Sequence, residues 1–194
     1  MIYVFGLLLV AVVAITFLFS KRPGSAGVPA GQRLPLFAAP LAVSTLNGAA
    51  NLHPHCTIAQ HNPGALNVCL LVKQAPLVLG FFVTSSSGCE QAVTALQRVS
   101  HQLPAGEVQF AAVAVNSDHH DALQAVRAHH WTIPVAYDVD GRVGDAYGVA
   151  VCPIFELARR GGTVASRLIG EHWDSAATLG PQVRALVAGS GQAG

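Results

Sequence analysis

The chain has 194 residues, 52% apolar and 11% charged, which is room for one domain of ordinary size plus an anchor and a linker. Eleven basic and ten acidic side chains nearly cancel, leaving no field to steer the protein onto nucleic acid, so a nucleic-acid partner is excluded. Four cysteines, Cys56, Cys69, Cys89 and Cys152, are too sparse for a disulfide-built miniature fold, and the core must come from ordinary burial.

Ile2 to Ser20 reads IYVFGLLLVAVVAITFLFS, without a single charge. As a helix this run rises about 28 Å, close to the hydrocarbon thickness of a bilayer. A cleaved leader wants a charged start, a short apolar core and a small-residue cleavage site. Here no Lys or Arg precedes the run, and it ends on Lys21-Arg22. A retained transmembrane anchor over residues 1–22 is the expectation, and by the positive-inside rule Lys21 and Arg22 would hold the domain in the cytoplasm. Residues 23–34, PGSAGVPAGQRL, have little to bury and read as a flexible linker, with the folded domain expected over 35–190.

The segment from Leu34 to Lys73 is irregular and polar in its middle, and predicts an N-terminal hairpin or loop. Leu77 to Val83 is a continuous apolar run of strand length, as expected of a strand buried on both faces. A loop, Thr84 to Gly88, leads to a helix from Cys89 to Leu103, with Ala92, Val93, Leu96, Val99 and Leu103 at helical spacing and Pro104 as its stop. Val108 to Val115 predicts a second buried strand. Asn116 or Ser117 would cap a helix from Asp118 to about His129. Ile133 to Tyr137 reads as a short strand, Asp138 to Gly141 as a turn, and Val143 to Tyr147 as a short helix. Pro153 to Ala158 and Thr163 to Ile169 flank Arg159-Arg-Gly-Gly162 as a hairpin. Asp174 precedes a final helix to about Val187, in which Pro181 should break or offset the start. The order implies an α/β fold, a mixed sheet flanked by helices.

Several of these residues carry a resemblance. Phe81-Phe-Val-Thr-Ser-Ser-Ser-Gly-Cys89, Ile133-Pro-Val, Asp138-Val-Asp-Gly141, Ala146-Tyr-Gly-Val149, Ala150-Val-Cys-Pro153 and Ile154-Phe-Glu follow one another in order. From Leu77 to Leu186 the chain resembles the thioredoxin-like redoxins tethered to bacterial membranes. That group contains thiol-disulfide oxidoreductases of cytochrome maturation and methylamine utilisation. The resemblance implies a thioredoxin-like fold, a cis-proline at Pro153, a protein thiol or disulfide as partner, and no cofactor. Tethered redoxins turn their thiol chemistry outward, so the resemblance favours an extracytoplasmic domain against the charge rule, and the side stays open.

The departure from the family is at the dithiol itself. The family's nucleophile is the first cysteine of a Cys-x-x-Cys pair at a helix N-terminus, where backbone N–H groups lower its pKa. Ser86 stands at that position, and a serine hydroxyl cannot undergo thiol–disulfide exchange. The second cysteine survives as Cys89. In this fold the residue before the cis-proline faces the active-site loop, so the resemblance implies that Cys152 can replace the missing partner. On this reading Cys89 is the thiolate, Cys152 resolves the mixed disulfide, and Thr84, Ser86 and Pro153 shape the binding pocket. The alternative is that Cys89 and Cys152 are small packing residues in a redox-inactive module that keeps the groove to bind an extended peptide.

Cys56 and Cys69 stand outside the resemblance. They are expected to form a structural disulfide, which needs an oxidising compartment; the alternative, a metal site shared with His53, His55 and His61, has a spacing that fits no common finger pattern, and no metal is expected. His119-His120 and His129-His130 point to different sides of a helix and do not suggest a shared ligand set. Asp145 and Tyr147 read as turn and packing residues, and Trp131 and Trp173 as partly buried anchors. No Gly-rich phosphate loop, Ser/His/Asp pattern or Pro-x-x-x-Thr-x-x-Cys motif is present, and the last absence weighs against a peroxide-reducing cycle.

Overall fold

The computed structural model describes residues 27–190. The anchor expected over 1–22 and the first part of the linker lie outside the described residues. Among the described residues, no helix is long and apolar enough to cross a membrane.

Two short strands, β1 (Ala38–Pro40) and β2 (Ala65–Asn67), pair antiparallel ahead of helix α1 (Val68–Gln74). The main sheet then takes β3 (Leu77–Phe82), β4 (Gln109–Val115), β5 (Val135–Asp138), β6 (Ile154–Ala158) and β7 (Val164–Ile169). Its order is β5-β4-β3-β6-β7, with β3, β4 and β5 parallel and β6 and β7 antiparallel to their neighbours. Helices α2 (Ser87–Ser100), α3 (His119–Ala128), α4 (Arg142–Tyr147) and α5 (Ala176–Ser190) complete a thioredoxin-like mixed sheet flanked by helices.

Every residue of β3 is buried, because helices cover both faces of this central strand. Val78 and Phe82 join Ala92, Leu96 and Val99 of α2 and Leu179, Val183 and Leu186 of α5 in one core. Leu77, Leu79 and Phe81 face the other way, toward Val72 of α1 and Val143 and Tyr147 of α4. Gly80 sits opposite Phe155 of β6, and a Cβ there would lie 2.9 Å from the Phe155 ring. Gly80→Ala should therefore overpack this layer and cost about 1–3 kcal/mol, read as a lower urea midpoint at unchanged slope.

Four expectations need correction. The linker read over 23–34 is, from residue 27 on, part of the domain. Val28 and Leu34 are buried. Gly31 N–H donates to the Val164 carbonyl, Val164 N–H to that of Gln32, and Leu34 N–H to that of Gly162. Gly and Pro give this segment the look of free chain, but it satisfies backbone groups at the start of β7 that would otherwise be open. Helix α1 is absent from the sequence expectation, since seven residues ending near Pro76 are too few to show a helical period; Asn67 caps it through the Leu70 N–H at 3.3 Å. The cap of α3 is Asp118, which accepts from the Asp121 N–H at 2.9 Å, rather than Asn116 or Ser117. Pro181 lies inside α5 without ending it, because residues on either side of it, Leu179 and Val183, are held in the core.

Candidate functional site

The site forms where three segments meet at one end of the sheet's interior strands. Strand β3 runs out at Phe82 into the loop Val83 to Ser86, and α2 starts at Ser87 with Ser86 as its extended N-cap residue. The Ser86 side chain makes no capping bond, while its carbonyl accepts from the Glu90 N–H at 3.0 Å. Cys89 is thus in the first turn of α2, where backbone N–H groups lack helical partners and the dipole is positive. Antiparallel pairing of Phe81 with Ile154 brings the start of β6 alongside the end of β3. The two residues before that strand are Cys152 and Pro153, joined by a cis peptide bond.

This register brings Cys89 and Cys152 together as a disulfide with Cα atoms 5.7 Å apart, although 63 positions separate them in the chain. The two sulfurs differ in setting. Cys89 is 5% exposed and belongs to the core below α2, whereas Cys152 is partly exposed and follows Val151, which is 48% exposed. Cys152 Sγ lies 3.9 Å from the Phe81 carbonyl oxygen, against the end of β3. Pro153 is buried, and its carbonyl accepts from the Gly170 N–H at 2.9 Å. Thr84 and Ser86 are half-buried in the loop between β3 and α2; the Thr84 hydroxyl is 3.3 Å from that of Ser117, which ties the loop to the turn after β4.

A cleft of about 360 Å³ opens beside this loop between α2 and α3, lined among others by Thr84, Ser85, Glu90, Asp121 and His129. Glu90 pairs with His129 at 3.0 Å, and His129 stacks on Trp131 with ring centroids 4.8 Å apart. Trp131 Nε1–H donates to the Thr94 hydroxyl at 3.0 Å, and Gln97 Nε2–H to the His130 carbonyl at 3.3 Å. Read singly along the sequence, these residues show no link to one another. Glu90, Thr94 and Gln97 nevertheless recur at i, i+4 and i+7, one polar stripe of α2 facing the turn after α3, and that spacing is a readable signal. His119 and Tyr147 have structural surroundings. His119 Nε2 is 3.0 Å from the Ala42 carbonyl oxygen, and the buried Tyr147 donates its hydroxyl to the Pro35 carbonyl at 2.6 Å.

Cys56 and Cys69 are disulfide-bonded, Cα to Cα 5.5 Å, which fastens the loop before β2 onto α1. Lys73 Nζ donates to the Cys56 carbonyl at 2.7 Å and Asn67 Nδ2 to the His55 carbonyl at 2.9 Å, holding the same loop. Their sulfurs are thereby committed to each other. Among the described residues, no group of three or more His, Cys, Asp or Glu side chains is placed to hold a metal ion. A closed loop of 13 positions corresponds to about 3 kcal/mol by the chain-entropy estimate. A Cys56→Ala, Cys69→Ala double variant should lose that stability in urea while leaving chemistry at Cys89 and Cys152 unchanged.

The AhpC/TSA family model matches residues 58–166 of this chain. No curated protein matches it. Among solved structures it is similar to a chain from Chlorobium tepidum assigned as a thiol:disulfide interchange protein DsbE, with 20% identity, a TM-score of 0.65, and coverage of 82% of this chain and 99% of that one. It is also similar to a secreted Mycobacterium tuberculosis disulfide oxidoreductase homologous to E. coli DsbE, at 22% identity and a TM-score of 0.53, over 63% of this chain and 89% of that one. A thiol-disulfide oxidoreductase from Bacteroides fragilis shares 14% identity at a TM-score of 0.60, over 80% and 99% of the two chains. At these identities the likeness is one of fold.

Proposed function

The chain belongs to the AhpC/TSA family of thioredoxin-like redoxins, and from that premise we propose that it is a membrane-anchored thiol–disulfide oxidoreductase whose working pair is Cys89 with Cys152. The observation that carries the reading is the meeting of these two cysteines, 5.7 Å apart at Cα, at the first turn of α2 and beside Pro153. Ser86 rules out exchange within the helix turn alone, and a sulfur supplied from the proline loop restores a two-electron couple at the same place. The partner is a protein thiol or disulfide, whose extended segment lies beside Pro153 with Thr84 and Ser86 on the pocket rim.

The charge-free run before Lys21 supports the membrane anchor. Two disulfides among the described residues support a domain on the oxidising, extracytoplasmic side. The test is a non-reducing disulfide map of protein whose thiols are trapped at the moment of lysis. A Cys89–Cys152 link that dithiothreitol opens readily, ahead of Cys56–Cys69, is the expected result. Free Cys89 and Cys152 under every oxidant tried would leave a redox-inactive fold that binds an extended peptide.

A further inference from the structure

Resting on the reading of Cys89 and Cys152 as the working pair, we propose that the partner's sulfur enters at Cys152, and that Cys89 is the leaving and resolving sulfur. This inverts the roles expected from sequence. Exchange requires the attacking thiolate to approach one sulfur from behind, along the line of the disulfide bond, so access decides which sulfur is attacked. Cys89 is 5% exposed and grouped with Val93 and Leu96 in the core, which closes that approach. Cys152 is partly exposed on the loop before β6, next to the exposed apolar side chain of Val151.

The helix end bears on the leaving group. A sulfur departs faster as its thiolate becomes more stable. Cys89 is in the first turn of the 14-residue α2, among unpaired N–H groups and at the positive end of the dipole. Cys152 lies on the loop before β6, and its sulfur reaches that helix end only by meeting the sulfur of Cys89. Burial in the core works against the Cys89 thiolate while the helix end favours it, so access is what selects the bond polarity.

The cycle balances on the sulfurs alone. A partner thiolate attacks Cys152 Sγ; a partner–Cys152 disulfide forms, the Cys89–Cys152 bond breaks, and its electron pair departs on Cys89. The second thiolate of the partner dithiol then attacks the partner sulfur in the mixed disulfide and expels Cys152. The partner leaves as a disulfide, and this protein holds two thiols that take up the two protons released. In the reverse direction the Cys152 thiolate attacks a partner disulfide, and Cys89 resolves the mixed disulfide from the protein interior.

The experiment mixes the oxidised full-length protein with glutathione, quenches in acid at early times, and maps the adduct by non-reducing peptide mass spectrometry. Glutathione on Cys152 in about tenfold excess over Cys89 is expected. A second measurement compares Cys89→Ser with Cys152→Ser in their rates of reaction with glutathione disulfide, the first being about tenfold faster. Glutathione found first on Cys89, or equally on both, overturns the order of attack while leaving the pair itself redox-active. A Cys89–Cys152 bond that glutathione and dithiothreitol both fail to open overturns the order and the proposed function together.

Discussion

A pre-reduced Cys89→Ser protein, freed of small thiol, is expected to release no reduced product from a protein disulfide, whereas pre-reduced wild type reduces one equivalent with its own two thiols. The cause is the loss of the resolving sulfur. Cys152 still forms one mixed disulfide with the partner, and nothing within the chain then releases it, so the variant should accumulate as a covalent complex. A serine at this position keeps the volume of the site and adds one buried hydroxyl, so the fold survives. The proper comparison for stability is the reduced wild type, because the oxidised form also carries the cross-link over 63 positions. The variant should melt within a few degrees of that reference. Release of fully reduced substrate by Cys89→Ser would refute the assignment of Cys89 to the working pair, and unfolding of the variant would show up as the loss of its melting transition.

The sheet and its helices are legible in the sequence because their signals are local. An unbroken apolar run marks β3, a helical period marks α2, and Arg159 to Gly162 marks the turn of the β6–β7 hairpin. The features that escape depend on contacts far apart in sequence. Residues 27–34 look like a linker until the start of β7 is placed beside them, and α1 is too short to show a period. At the site, no spacing rule joins Cys89 to Cys152. Their proximity follows from the pairing of Phe81 with Ile154, which only the resemblance to a known fold could supply. Which sulfur a partner reaches is beyond the sequence altogether, since exposure is a property of the assembled core. Glu156 is a further case: an acidic residue in Ile-Phe-Glu-Leu-Ala would normally mark an outward position of a strand, yet it is fully buried.

That buried carboxylate makes stability fall as pH rises, in a window below neutrality. Glu156 accepts from the Val28 N–H at 2.6 Å through Oε1, while its Oε2 has no hydrogen-bond partner among the described residues. Burial pushes its pKa from 4.5 up to about 7, against the opposing pull of the Val28 N–H and of Arg167, its cross-strand neighbour on β7. Below pH 4.5 the carboxyl is protonated in both folded and unfolded chains and contributes no slope. Between 4.5 and about 7 the unfolded chain ionises while the folded one keeps its proton, so each pH unit removes stability; above about 7 both are ionised and the loss is complete. The whole step corresponds to about 3 to 4 kcal/mol. Asp138, also raised by burial, adds a slope of the same sign, so wild type alone does not isolate Glu156. Glu156→Gln does: its amide oxygen can still accept from Val28, and it has no proton to lose. Urea unfolding at pH 4 and pH 8 should show a smaller loss for Glu156→Gln than for wild type, with the variant the more stable protein at pH 8. Equal losses in the two proteins would mean that Glu156 is ionised in the fold throughout, held by Arg167, and that the 27–34 segment rests on an ion pair rather than on a neutral acid.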